Sequence, residues 1–378
     1  MRPAESRVPL RAVALAVVLL AVRVAIVSPL AAQLPIPVLV EGLADGEFWS
    51  TTAHSNLLTR NDGRSSGLAR VNLWAAVEPL PGLVFYGQGE MEAGSARLES
   101  KNFEVYGEQY GARYVVSPAF VIDAGKLQPI VGTFASRHFS NRNPLIGSPD
   151  GYSLAYPLGV QISGESHHID YRAGLVSLPM SHESYVPSAT PRLRPAIGAG
   201  FTPMTGLRIG ASFTAGPYLN HELTTDQLRG QSWTDYSQRV VALDVAFARG
   251  YLETHAEAAR GTYEVPGRAG ALMGYTYYGE AKYTFTPRFF VAGRLERNNY
   301  PFIRPFGTNW VARLTDFVDG EAGVGYRLTE SMLVKASARA DRWWVAPGST
   351  GFLGQGGPAV AVQVSQSFDA LSWLTRAK

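Results

Sequence analysis

The sequence predicts an all-β fold, namely a transmembrane antiparallel up-and-down β-barrel of about 16 strands with short periplasmic turns and long extracellular loops. Three observations carry this prediction: an N-terminus typical of exported proteins, long runs of alternating apolar and polar residues, and a recurring turn signature. The 378 residues include 17% charged and 11% aromatic side chains, a composition too apolar for a disordered chain. The absence of cysteine excludes disulfide frameworks and thiolate metal sites.

Residues 1–32 are predicted to form a cleaved signal peptide, which leaves residues 33–378 as a single barrel domain. Three arginines precede the apolar run 12–22, and small residues follow it. Arg23 interrupts the apolar stretch and argues against a retained helix. An uncleaved anchor over residues 12–32 stays open as the alternative, because that span is about the length of a membrane helix.

The charge balance argues against a nucleic-acid partner. Residues 1–32 hold four arginines and one glutamate, so they account for the whole net charge of +3, and the remainder of the chain is formally neutral. The high isoelectric point therefore reflects the signal and not a basic binding surface.

Five short triplets of an apolar residue, a polar residue and Pro or Glu each stand between two alternating runs. They are Val77-Glu78-Pro79, Val116-Ser117-Pro118, Phe201-Thr202-Pro203, Phe285-Thr286-Pro287 and Leu328-Thr329-Glu330. Their third positions are 39, 85, 84 and 43 residues apart, so the two long intervals predict further turns near 164–167 and 248–250. Proline cannot donate to a sheet ladder and marks places where the chain leaves a strand. Seven short turns, with both chain ends on one side, predict sixteen strands.

Each period of roughly 42 residues carries two alternating runs of about ten residues, the length of tilted membrane strands. In residues 332–341, for example, Lys335 and Arg339 share one face and alanines the other. Residues 103–116 alternate less cleanly, and their faces stay unassigned. The longer polar connections on the other side are predicted at 54–67, 179–192, 217–237 and 299–310. A soluble β-propeller is the competing interpretation, but each of its blades would need four strands of about five residues per period.

Aromatic residues cluster within a few positions of the short turns. They are Tyr114, Phe120, Phe201, Phe247, Tyr251, Phe285, Phe289 and Tyr326. Such clustering is typical of the aromatic girdle that a membrane barrel places at the lipid headgroups, although aromatic packing at the end of a soluble core is the alternative.

The last predicted strand, 359–368, ends at Phe368 and resembles the C-terminal aromatic signal of outer-membrane barrels, although ten residues follow it. Strand number, export signal and loop asymmetry together resemble the bacterial outer-membrane porin superfamily over essentially the whole mature chain. The resemblance implies a bacterial outer-membrane channel for passive diffusion of small hydrophilic solutes or ions, surrounded by lipid and assembled as a homotrimer.

The third long connection, residues 125–159, shows little alternation. In porins the third long loop commonly folds into the barrel and narrows the channel. The resemblance therefore implies that residues 128–155 form a constriction loop, with Arg137, His138, Arg142 and Asp150 near the constriction. A surface loop that packs on the rim is the alternative.

The alternation predicts which ionisable side chains line the lumen. They are Glu90, Glu92, Arg172, Glu253, His255, Glu257, Lys282, Arg294, Glu321, Lys335, Arg339 and Asp341. Both signs are interspersed, which favours a weakly charge-selective pore with a slight preference for cations. Many of these charges are also placed to pair between neighbouring strands and stiffen the wall.

The sequence contains no catalytic or cofactor-binding motif, so we predict a non-enzymatic protein without cofactor or metal. Glu253, His255 and Glu257 share a strand face, but a solvated wall is favoured there over a metal site. The alternatives to a diffusion channel are a loop-plugged structural or scaffold barrel and, less favoured, the secreted β-propeller as a binding protein.

Overall fold

A computed structural model describes most of the barrel, in six ranges of the chain. These are residues 37–51, 65–94, 103–149, 156–177, 192–344 and 358–370. The predicted signal peptide, 1–32, lies outside them. Within these ranges no helix is long and apolar enough to cross a membrane.

Sixteen antiparallel strands form one closed barrel in which each strand pairs with its neighbours in sequence and β1 pairs with β16, as predicted. The strands are β1 Val38–Thr51, β2 Ser66–Leu80, β3 Leu83–Gly94, β4 Phe103–Ser117, β5 Phe120–Lys126, β6 Leu158–Ser166, β7 Ile169–Val176, β8 Arg194–Met204, β9 Leu207–Pro217, β10 Ser237–Arg249, β11 Leu252–Tyr263, β12 Leu272–Thr284, β13 Phe289–Phe306, β14 Asn309–Arg327, β15 Met332–Trp344 and β16 Ala359–Asp369. Residues 103–116, whose faces the sequence left unassigned, belong to β4, and a register shift between β3 and β4 explains the weak alternation.

The seven predicted short turns are present, each joining an even-numbered strand to the next. The two turns inferred from spacing alone lie between β6 and β7 and between β10 and β11. The first three triplets end a strand, and the last two span the turn itself. Glycines at positive φ, such as Gly206 and Gly250, adopt the left-handed conformation that such turns need.

The predicted long connection at 299–310 is wrong. Residues there extend β13 and β14 into a paired hairpin that turns at Gly307, whose φ is 59°. Pro301 and Pro305 lie in this extension of β13, and pairing of β13 with β12 stops at Asn299. Beyond that point β13 has a free edge on one side, where a missing N–H costs no ladder hydrogen bond. The long connection at 217–237 is confirmed, whereas most of 54–67 and 179–192 lies outside the described residues.

The two faces of the wall have opposite chemistry. On β10, Val241, Leu243 and Val245 are exposed, whereas Gln238 and Asp244 on the other face are buried. Buried wall positions include many charged side chains, and exposed positions are largely aliphatic or aromatic. Because a soluble protein buries its apolar face, this inverted arrangement is that of a barrel surrounded by lipid.

The predicted aromatic girdle is exposed near the short turns. Tyr114, Phe201, Tyr251, Phe285 and Tyr326 have about half of their surface accessible, at 49%, 50%, 65%, 57% and 44%. Such amphipathic or apolar rings suit the headgroup level on the side of the short turns.

The opposite end of the barrel holds the largest apolar cluster of the described residues. The connection between β9 and β10 contributes Tyr218, Leu219, Leu228 and Tyr236, which pack with Ile303 of the extended β13. The Trp310 indole N–H donates to the Gln227 carbonyl at 2.7 Å, which ties the hairpin to this connection.

Candidate functional site

The described part of the connection between β5 and β6, residues 127–149, contacts the buried face of the wall over much of its circumference. Ile130 packs with Val176 and Ala196, at the ends of β7 and β8. Val131 then packs on β10 and β11. Such a path follows the buried face from one side of the barrel towards the other.

The next contacts are polar and involve β11 and β12. The Thr133 backbone N–H and hydroxyl both donate to Glu257, at 2.8 Å each. The Tyr278 hydroxyl donates to the same carboxylate at 2.5 Å and accepts from Arg137 at 2.7 Å. The other Arg137 nitrogen donates to Glu280 at 2.5 Å. These donors stabilise the buried carboxylates of Glu257 and Glu280, because their hydrogen bonds offset the loss of contact with water.

Arg294 links this cluster to the next one along the wall. Its guanidinium donates to Glu280 at 3.2 Å and to Glu321 at 2.8 Å, and all three side chains are 4% exposed or less. Four charged groups, Arg137, Glu280, Arg294 and Glu321, thus alternate in sign from the connection to β14.

Segment 143–147 rests on β14 and β15. One Glu321 oxygen accepts from the backbone N–H groups of Ile146 and Gly147, at 3.1 and 3.0 Å. The Lys335 ammonium, 1% exposed, donates to the carbonyls of Asn143 and Leu145 at 2.9 and 2.8 Å. The Glu321 carboxylate accepts from backbone N–H groups, and the Lys335 ammonium donates to backbone carbonyls. Each of these two charged side chains of the wall is therefore paired with backbone groups of the opposite polarity.

An aromatic group holds the middle of the connection. Phe139 meets Trp74 of β2 edge to face, with ring centroids 5.0 Å apart, and packs on His138 at 3.9 Å. His138 Nδ1 lies 2.7 Å from the Ala135 carbonyl, and Nε2 lies 3.4 Å from the Tyr156 hydroxyl. Burial lowers the pKa of His138 to about 4 and raises the pKa of Tyr156, so both are neutral at pH 7.

The predicted constriction residues lie in different environments. Arg137 joins the charged cluster described above, and His138 the aromatic group. Arg142 bonds within the connection, where it donates to the Ser136 carbonyl at 3.2 Å. Asp150 lies outside the described residues.

The predicted lumen-lining residues all lie on the buried face and fall into two groups. Those almost fully buried are Glu92, Glu257, Arg294, Glu321, Lys335 and Arg339. Those that keep intermediate exposure are Glu90, Arg172, Glu253, His255, Lys282 and Asp341. Within the described residues no group of three or more potential ligands is placed to hold a metal ion, and Glu253 bonds to Lys282 at 2.8 Å.

Acidic side chains surround a single arginine on the first strands. Arg70 of β2 lies 2.8 Å from Glu92, 3.5 Å from Asp45 and 3.6 Å from Glu90. Near the short turns Arg208 bonds to two carboxylates, Asp170 and Asp244, at 2.7 Å each. The β1–β3 side of the wall is therefore locally acidic.

Sequence reasoning missed Tyr278, Trp74 and Asn143, which position the connection. Tyr278 lies two residues before Glu280 and thus on the same strand face, so alternation could have placed it inward. No pattern indicated that the backbone of 143–147 would supply the donors and acceptors for Glu321 and Lys335.

Comparison with known proteins gives similarity at the level of structure only. No protein-family model matches the chain, and no curated protein is significantly similar in sequence. Among solved structures, OmpF of Salmonella typhi, in complex with daunomycin, matches with a TM-score of 0.57 and 14% identity over 88% of this chain and 97% of that one.

Two further matches agree with this one. OmpT, an outer membrane protein of Vibrio cholerae, matches with a TM-score of 0.57 and 10% identity over 88% of this chain and 98% of that one. A multiply substituted variant of Rh. blastica porin matches with a TM-score of 0.51 and 12% identity over 88% of this chain and 100% of that one. The chain therefore has the closed sixteen-stranded fold of the bacterial outer-membrane porins.

Proposed function

We propose that this protein is a non-enzymatic channel of the bacterial outer membrane, exported by way of a signal peptide over residues 1–32, for passive diffusion of small hydrophilic solutes or ions. The observation that carries the proposal is the inverted wall of the closed sixteen-stranded barrel, which is apolar outside and charged inside. Barrels of about 16–18 strands are wide enough to hold water. The porin fold of the matching structures supports the same function. The homotrimer that the resemblance to porins implies is part of the same proposal.

Residues 128–155 serve in this proposal as the constriction. The support is the set of contacts that the described part makes with buried side chains of β2, β11, β12, β14 and β15. A segment that reaches strands so far apart in a closed barrel narrows the space that they enclose. Arg137 and His138 take part in these contacts, and Arg142 lies five residues beyond Arg137 on the same segment.

The remaining passage is weakly cation-selective in our proposal. The support is the excess of carboxylates around Arg70, at Asp45, Glu90 and Glu92, of which Glu90 keeps intermediate exposure. Rings or patches of carboxylates favour cations in a pore, whereas paired charges elsewhere largely cancel.

A loop-plugged structural barrel is the second candidate, and one observation favours it. The charges that hold the connection are nearly inaccessible, at 4% for Glu280, 3% for Arg294, 3% for Glu321 and 1% for Lys335. A barrel filled to this degree over its whole cross-section would not conduct.

Single-channel recording in a planar bilayer separates the two candidates. We expect the purified, folded protein to give ohmic conductance steps, and a reversal potential in asymmetric KCl with the sign of a cation-preferring pore. Heat-modifiable migration on a gel first establishes that the barrel is folded. If the folded protein gives no conductance steps, the diffusion-channel proposal is wrong and the plugged barrel is supported.

A further inference from the structure

Outward-facing arginines occupy one rim of the barrel. On β10, β11, β13 and β15 respectively, Arg239, Arg260, Arg297 and Arg342 lie on the same strand faces as the exposed apolar residues. By contrast, the described strands β6–β9 carry no charged residue on their outward face. A charge on the lipid-facing side is costly at mid-membrane, so a cluster of four needs a physical explanation.

The four arginines share one height on the wall. Arg260 and Arg297 lie eight residues, and Arg239 and Arg342 ten residues, from the short-turn end of their strands. At ~3.3 Å per residue and a strand tilt of ~40°, these separations correspond to a height of about 20–25 Å above the aromatic girdle. The apolar band of such barrels is ~25 Å tall, which places the guanidinium groups at the opposite interface, level with lipid headgroups.

Cross-strand pairing makes the cluster continuous. Arg260 is paired with Tyr275, Tyr277 with Arg297, and Val318 joins Arg297 to Arg342. Tyr275 and Tyr277 are exposed and stacked, with ring centroids 6.0 Å apart. Arginine and tyrosine thus alternate across the three neighbouring strands β11, β12 and β13, in the pattern that anchors a protein at an interface.

Most of this positive charge has no carboxylate partner among the described residues. Arg297 lies 3.4 Å from Asp316, the one outward acid among the described residues of β10–β15 at this height. Arg260 donates instead to the Met273 sulfur, at 2.8 and 3.1 Å, and Arg342 lies over the Trp344 ring at 5.3 Å. These neutral partners orient the Arg260 and Arg342 guanidinium groups without compensating their charge, which favours binding of an anion.

We infer that the rim formed by Arg239, Arg260, Arg297 and Arg342 is a docking surface for anionic phospholipids, whose headgroup phosphate has no positive group of its own beside it. A phosphate accepts paired hydrogen bonds from a guanidinium fork, and the acyl chains lie along the exposed apolar residues below. Leu243, 58% exposed, and Leu295, 71% exposed, provide that apolar surface on β10 and β13. The inference rests on the proposed membrane barrel but is independent of whether the lumen conducts.

The test measures lipid retention by the full chain. The protein is reconstituted in phosphatidylcholine nanodiscs with and without phosphatidylglycerol, and retained lipid is counted by native mass spectrometry during mild delipidation. We expect selective retention of phosphatidylglycerol, screened by raising salt well above ~0.1 M. The double variant Arg297→Gln with Arg342→Gln should weaken retention by about fivefold for each arginine removed.

A matched control removes two arginines at the other rim, Arg249→Gln with Arg288→Gln, both exposed near short turns. We expect retention to stay at the wild-type level there, and heat-modifiable migration verifies folding of each variant. Equal loss in both double variants, or equal retention of the two lipids by the wild type, would overturn the inference. Displacement by inorganic phosphate alone at matched concentration would do so too, because it indicates a simple anion site.

Two further outcomes assign failure to its source. A change in oligomeric state of the Arg297/Arg342 variant without a change in lipid retention would make this rim a contact between copies, which contradicts a lipid site. If the protein conducts but does not retain phosphatidylglycerol selectively, the lipid-docking inference is wrong and the diffusion channel stands. If it retains phosphatidylglycerol selectively but does not conduct, the diffusion channel is wrong and the lipid-docking inference stands.

Discussion

Glu321 joins the connection between β5 and β6 both to the wall and to the buried charges of the neighbouring strands. One oxygen accepts from Ile146 and Gly147, and the other accepts from Arg294. Glu321→Gln turns one acceptor into a donor, so either the segment or Arg294 loses its partner. Breaking a buried ion pair costs about 3–5 kcal/mol.

We therefore expect Glu321→Gln to free the segment, so that trypsin cleaves after Arg142 at a higher rate than in the wild type. Glu253→Gln is the matched control, because Glu253 pairs with Lys282 at a site where 45% of its side chain is exposed. Loss of that pair costs at most about 1 kcal/mol. Equal cleavage of the two variants would contradict the role assigned to Glu321.

His138 predicts a pH dependence of stability. Burial, assisted by Arg70 and Arg142, lowers its pKa to about 4 from a usual 6.5, against the opposing effect of the Ala135 carbonyl. Between these two values the unfolded chain binds the proton and the folded chain does not. Above pH 6.5, His138 therefore has no effect on how the free energy of unfolding depends on pH. As the pH falls from 6.5 to 4, His138 lowers the free energy of unfolding by at most about 1.4 kcal/mol per pH unit.

Thermal unfolding midpoints at pH 7 and pH 5 test this assignment in the wild type and in His138→Gln. The variant has no group that titrates in this range at position 138, so its midpoint should fall less on acidification. Carboxylates elsewhere titrate in both proteins and cancel in the comparison. A pH response that is the same in both proteins would show that His138 does not contribute.

At the scale of elements, Gly147 is a point where the connection between β5 and β6 packs closely against the wall. A Cβ added there would lie 2.6 Å from Glu321 Oε2 and 2.9 Å from an Arg339 nitrogen. Gly147→Ala should displace segment 143–147 from β14 and alter the conductance in a planar bilayer, at a cost of about 1–3 kcal/mol for overpacking.

Gly46 of β1 offers a control for that substitution, because a Cβ added at Gly46 meets no heavy atom within 4 Å. Gly46→Ala should leave both conductance and unfolding temperature close to those of the wild type. If the two alanine variants behave alike, close packing at Gly147 does not hold the segment.

Element order was predictable because alternation and turn spacing are local properties of a two-faced wall. The turn at His167 and that at Gly250 carry no proline triplet, yet the period of the others located them. The extension of β13 through Pro301 was not predictable, since it depends on a free edge that exists only beyond the last pair between β12 and β13. The contacts of Glu321 and Lys335 were not predictable from the sequence either, because their partners are backbone groups that any sequence possesses.

At the scale of the whole molecule, the barrel depends on the pairing of its first and last strands. β1 and β16 pair from Glu41 with Asp369 to Thr51 with Ala359, so residues more than 300 positions apart close the wall. Gly42 faces Phe368 directly, and a Cβ on Gly42 would lie 2.2 Å from the Phe368 ring. The ring covers the glycine, in the way that an aromatic residue compensates for a cross-strand glycine.

This contact predicts a non-additive pair of substitutions. Gly42→Ala forces the Phe368 ring away and should destabilise the barrel by about 1–3 kcal/mol, and Phe368→Ala removes the ring's packing. In the double variant the new methyl group occupies space that the ring has left, so the loss of stability should be smaller than the sum of the two single losses.

The temperature of the shift in heat-modifiable migration measures each loss of stability. Gly279→Ala on β12, where a Cβ meets nothing within 4 Å, serves as the control. Strict additivity would mean that the two residues do not support closure together.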